Sequence, residues 1–258
     1  MSGIPAAQLV FLVIQTAALI GLSVRIWWSG LYRLYPFFFG YLLATLLQTA
    51  VLTLTPYDRT HYPYAWIPTE GIILCFYSLI VLECYTIALR GLPGIASLSR
   101  RYIKAGLAVA IVVSLLLLGL EKAPNGRNIT LTFIVFERVI VTSLVIFVLL
   151  ILGFLAYYPV SLSRNVVVYS IGYAVYFLDK ATLLLLVNRT HHGSQLASTV
   201  LIVVSTLCLV FWLFALNKGG ETKTVVVGHR WKPGEEARLL SQLQVINDHL
   251  IRTARKGS

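Results

Sequence analysis

Seven stretches of this chain run for roughly 20 residues almost without charge, and no other feature limits the fold as strongly. They are Leu9–Trp28, Pro36–Leu54, Ile67–Leu89, Ala105–Leu120, Ile129–Tyr157, Val166–Val187 and Leu196–Leu216. A helix needs roughly 20 apolar residues to cross the hydrocarbon of a bilayer. The fourth stretch is short but wholly uncharged, and the fifth is long enough that it must tilt or project. A water-soluble core cannot hide such segments: 58% of the 258 residues are apolar and only 12% are charged, against about 25% charged in an ordinary soluble domain. The runs are continuous rather than alternating, which argues against a transmembrane β-barrel. The expected fold class is therefore all-α, a polytopic membrane protein built as a seven-transmembrane-helix bundle over residues 1–217. A polar tail, 218–258, follows.

Lys and Arg in short loops set the orientation of such a bundle. With seven spans, one side carries fifteen basic residues, from Arg25 and Arg33 through Arg90, Arg100, Arg101, Lys104 and Arg164 to the tail, and the other carries four, Arg59, Lys122, Arg127 and Arg189. A six-span reading without Ala105–Leu120 would break this bias. The N-terminus is expected outside and the tail inside, in a plasma membrane such as the bacterial inner membrane. Nothing basic precedes the first span, so it reads as an uncleaved N-out helix rather than a signal peptide. The net charge of +11 follows from this asymmetry and suits anionic headgroups of the bilayer better than nucleic acid.

Ionisable groups within spans are functional candidates, because each costs several kcal/mol unless paired or wet. Glu70, Glu83, Glu137, Arg138, Asp179 and Lys180 fall in this class. At about 1.5 Å per helical residue, Glu137, Arg138, Asp179 and Lys180 share one level in the outer half, about 10–12 Å down. Gln48 stands slightly above them and Glu70 nearer the outer surface. Glu83 is a second intramembrane acid, in the inner half, and about 140° round the helix from Glu70. A short loop joins the spans of Glu137–Arg138 and Asp179–Lys180, so they are expected to be antiparallel neighbours with two crossed pairs, Glu137 with Lys180 and Arg138 with Asp179. Such pairs can simply lock two helices together. Alternatively they form an outward-facing polar pocket, with Gln48 on its wall and Glu70 at its rim. Asp179→Asn is then expected to be far more damaging than loss of a loop acid such as Glu121.

The rest of the chain is quieter. Cys75, Cys84 and Cys208 lie in spans without metal-ligand spacing, and His61, His191, His192 and Asp58 read as loop residues. No span holds a histidine, which excludes bis-histidine haem ligation, and no metal or other cofactor is expected. No H-E-x-x-H, G-x-S-x-G, G-x-G-x-x-G or P-loop pattern occurs, so an enzyme is not expected. A faint echo links Phe39-Gly40-Tyr41 and Gln48 with Ile171-Gly172-Tyr173 and Lys180, at an offset of 132 residues. It would relate spans one to three to spans five to seven as parallel repeats, a design known in carriers. In the tail, Pro233-Gly234-Glu235-Glu236 reads as a helix start. Leu239, Leu243, Ile246 and Leu250 then form an apolar stripe on a helix of about 235–256. That stripe can pack on lipid, on a second copy or on a protein partner. Together these features suggest a sensory or regulatory membrane protein whose polar site is coupled through the tail helix to a partner. A small solute or ion-coupled transporter and a non-catalytic subunit of a membrane complex are the alternatives.

Overall fold

The computed structural model describes residues 6–55, 62–88, 129–157, 160–189, 194–227 and, in the tail, 238, 241, 242, 244 and 245. The expected fourth span, Ala105–Leu120, lies outside the described residues. The apolar runs fold as six long helices: α1 (Ala6–Ser29), α2 (Pro36–Leu54), α3 (Tyr62–Ala88), α4 (Ile129–Tyr157), α5 (Arg164–Arg189) and α6 (Ser194–Ala215). A single short helix, α7 (Gly219–Thr222), follows. Five of the long helices, α1 to α5, are long and apolar enough to cross a membrane, and α6 adds a shorter apolar stretch, Thr199–Ala215. Hydroxyls within them bond to carbonyls of the preceding turn, as Thr45 does to Tyr41 and Thr49 to Thr45, so they do not present unpaired polar groups to lipid.

The six helices close into a ring in which each packs on the next, α1 on α2, α2 on α3, and so on to α6, which returns to α1. A further contact crosses the ring from α3 to α5. α4 and α5 are neighbours, as expected from their short connection. The outward-facing sides are apolar and open to the bilayer, with Leu47, Leu150 and Phe214 each more than 60% exposed. One end of the bundle holds the C-termini of α2 and α5 and the N-termini of α3, α4 and α6; we name it the Leu54 end. The other, the Tyr35 end, holds the turn from α1 to α2, where Gly30 takes φ +73°, a left-handed conformation that costs glycine nothing.

The Tyr35 end also carries a two-stranded antiparallel hairpin that hydropathy does not reveal. β1 (Val160–Ser163) pairs with β2 (Thr224–Val227), in the register Val160 opposite Val227 and Ser163 opposite Thr224. The polar segment after α6 thus returns to the bundle. Asn165, fully buried at the start of α5, fixes the return: its amide donates to the Asn217 carbonyl at 2.7 Å and to Glu221 at 2.7 Å. The Tyr35 hydroxyl donates to the same Glu221 oxygen at 2.6 Å. Any Cβ on Gly220 would overlap the Asn165 side chain.

Candidate functional site

α3 begins at Tyr62, five residues earlier than the apolar run suggests, because Pro63 is tolerated in a first turn where no helical N–H bond is required. Glu70 is consequently eight residues into its helix, just as Glu137 is eight into α4, which puts both about 12 Å from the Leu54 end. Lys180 is nine residues before the end of the antiparallel α5, at nearly the same depth. Equal depth lets one ammonium meet two carboxylates. Lys180 Nζ lies 2.7 Å from Glu70 Oε1 and 2.7 Å from Glu137 Oε1. It also donates to the Tyr77 hydroxyl at 3.4 Å and lies 4.8 Å from the centroid of that ring. Gln48 donates to Glu70 Oε2 at 2.8 Å, and the Tyr77 and Tyr176 hydroxyls share a bond of 2.6 Å. All three charged side chains are buried.

This group forms part of the wall of a cavity of about 500 Å³ to which all six long helices contribute. Gln15 of α1 and Ser205 of α6, bonded at 3.1 Å, close one side; Tyr41, Trp66, Tyr176 and Trp212 supply aromatic surface. Toward the Tyr35 end the bundle is filled. Phe38, Tyr169, Tyr173, Phe177 and Trp212 are at most 1% exposed. Their rings interlock, Phe38 standing 5.1 Å from Tyr169 and Tyr173 4.6 Å from Trp212 between centroids. Gly172 permits that packing, because a Cβ there would overlap the Trp212 indole.

Two expectations are corrected. Glu70 is not a rim residue near the surface but a buried partner of Lys180, for the reason of helix length given above. Arg138 and Asp179 do not pair: no ion pair joins them, and one Asp179 oxygen is buried without a hydrogen-bond partner. The geometry of antiparallel helices explains this. Going from Glu137 to Arg138, and from Lys180 back to Asp179, rotates about 100° in the same sense about nearly parallel axes. When the first pair points into the ring, the second two turn to the same side and cannot face each other.

Glu83 belongs to a different arrangement. Its carboxylate accepts from the backbone N–H of Phe37 at 3.1 Å, from that of Phe38 at 3.2 Å and from the Tyr169 hydroxyl at 2.8 Å. It caps the N-terminus of α2, where free amides and the helix dipole favour an anion. The structure thus brings together Gln48, Glu70, Glu137 and Lys180, and leaves Glu83, Arg138 and Asp179 apart from them. Sequence reasoning missed Gln15, Tyr41, Tyr77, Tyr176 and Ser205, whose polar and aromatic character resembles ordinary span composition. Among the described residues no three His, Cys, Asp or Glu side chains stand together as a metal site would require. Asp58, His61, His191 and His192 lie outside the described residues, as do Leu239, Leu243, Ile246 and Leu250 of the tail. Of that tail, Arg238, Ser241, Gln242, Gln244 and Val245 are helical and exposed.

Comparison with protein-family models, with curated proteins and with solved structures finds no match for this chain.

Proposed function

We propose that the protein is a receptor-like membrane protein. It takes a small ligand into the central cavity from the Leu54 end and passes its occupancy to a partner at the Tyr35 end. The Leu54 end faces outward and the tail inward in a plasma membrane, following the excess of basic residues on the tail side. The observation that carries this reading is a buried ionic trio, about 12 Å from the Leu54 end, in the wall of a cavity that is floored toward the Tyr35 end by packed aromatic rings. A carrier needs polar access from both ends. The acid in the other half, Glu83, is engaged as a helix cap and offers no second gate. The ring is nevertheless two-fold in its neighbour order: α1–α2–α3 and α4–α5–α6 occupy corresponding places, with Gly40 and Gly172 each abutting an aromatic ring of the next helix. That observation favours a carrier as the second reading.

Native mass spectrometry from native membranes in mild detergent, with and without residues 235–258, separates the two when joined to uptake into proteoliposomes. The receptor reading expects a companion protein or dimer that disappears with the tail, and no solute uptake. A lone chain in both forms, together with uptake abolished by Lys180→Met, would overturn it in favour of the carrier.

A further inference from the structure

We infer that the ligand of this cavity is a small organic cation, an amine or quaternary ammonium; the inference rests on the ligand-binding reading above and names its chemical class. Charge is the first ground. Glu70 and Glu137 confront a single Lys180, so acidic groups outnumber basic ones at the cavity. Donor inventory is the second. An ammonium has three N–H donors and no acceptor, and Lys180 directs them at Glu70, Glu137 and the Tyr77 hydroxyl. An incoming anion would find no free charged donor and would meet surplus carboxylate. The acceptor side is different, since a carboxylate offers about four lone-pair sites and these two have capacity left for an entering N–H. The walls are the third ground. Tyr41, Trp66, Tyr77, Tyr176 and Trp212 line the space, and aromatic faces attract cations, most strongly when water is excluded. A bare metal ion suits the site less well, since among the described residues the two carboxylates have no third His, Cys, Asp or Glu beside them. The volume of about 500 Å³ is that of a small-molecule site.

A charge series of nearly constant shape tests this on the full chain in detergent micelles. The probes are 2-phenylethylamine, 2-phenylethanol, 3-phenylpropionate and choline. Binding is read from tryptophan fluorescence, since Trp66 and Trp212 stand at the cavity, and from the melting temperature. The expected result is saturable binding and a raised melting temperature with the amine and choline, with the alcohol and the acid at least ten-fold weaker. Glu137→Gln keeps an acceptor for Lys180 while removing the surplus charge, and is expected to weaken amine binding at least ten-fold. If that variant does not fold, the wild-type probe series decides alone. Equal binding of alcohol and amine would overturn the cation assignment and leave the ligand-binding reading standing; preference for the acid would replace it with an anion site. Failure of all four probes to bind would overturn both.

Discussion

Lys180 is the residue on which the central ionic group depends. Two carboxylates buried in one half of the bundle can remain ionised only beside a positive charge, and among the described residues Lys180 is the base that touches both. Removing one partner from a buried ion pair costs about 3–5 kcal/mol, because the remaining charge is left uncompensated. Lys180→Met is therefore expected to lower stability in micelles by about that amount. Glu70→Gln and Glu137→Gln should each cost less than half as much, since Lys180 keeps the other acid. The triple variant Glu70→Gln, Glu137→Gln, Lys180→Met should recover most of the loss. Denaturant unfolding of the four proteins checks the order, and a single-lysine change no worse than either glutamine change would contradict it. Asp179→Asn, which the sequence marks as far more damaging than loss of a loop acid such as Glu121, is now expected to stay within about 1 kcal/mol, because one of its oxygens already lacks a partner. The pairing of Glu137 with Lys180 was legible from depth and loop length. The place of Glu70 was not, because Tyr62-Pro63-Tyr64 reads as loop until the chain is seen to start its helix there.

At the level of elements, two polar devices hold the Tyr35 end, and both join segments distant in sequence. Glu83 of α3 caps α2 through two backbone amides and also receives the Tyr169 hydroxyl from α5. Glu83→Ala leaves all three donors unpartnered, and each buried orphan costs about 1–3 kcal/mol. Glu83→Gln keeps one acceptor oxygen, enough for the Phe38 amide and the Tyr169 hydroxyl, but turns an NH2 toward the Phe37 amide and loses the charge facing the helix dipole, so it should cost less than alanine. The alanine variant is expected to open the first turn of α2, seen as faster amide exchange at Phe37 and Phe38, while the glutamine variant keeps Phe38 protected. The second device is Glu221, held by Asn165 and Tyr35. Burial, and then the Glu221 carboxylate beside it, pushes the Tyr35 hydroxyl well above its ordinary value of 10.0. A raised folded-state pKa means the neutral phenol stabilises the fold below about pH 10, a contribution lost as pH climbs past that value. Tyr35→Phe should therefore be less stable than the wild type at neutral pH by about 1.5–3 kcal/mol, the range for a hydrogen bond to a charged group. The gap should narrow above pH 10 in parallel melting curves, as the unfolded chain ionises first; a gap independent of pH would mean that folding does not raise the Tyr35 pKa. The hairpin β1–β2 could not be read in advance. Four-residue strands have no stability of their own, and Thr224-Val225-Val226-Val227 meets its partner across more than sixty residues of chain.

For the whole molecule, apolar run length sufficed to read the six long helices among the described residues, with boundaries off by at most five residues, the start of α3 being the widest miss. The closed ring and its two-fold neighbour order were only hinted at by Gly40 and Gly172, because repeats in a membrane body are written in common apolar residues and leave little trace beyond a glycine where helices crowd. Which end faces outward rests on charge alone, and it decides from which compartment a ligand of the proposed kind would reach the cavity. Thr55, at the C-terminus of α2, and Thr222, exposed on α7, mark the two ends. In a background with Cys75 replaced by alanine, the other two cysteines are buried, so a cysteine at either position is the accessible thiol among the described residues. A membrane-impermeant maleimide is expected to label Thr55→Cys in intact cells and Thr222→Cys only after permeabilisation. The reverse pattern would turn the cavity toward the cytoplasm, and the organic cation would then be an intracellular metabolite rather than an external signal. Labelling of both in intact cells would mean that the two ends lie on one side, which helices that span the membrane do not allow.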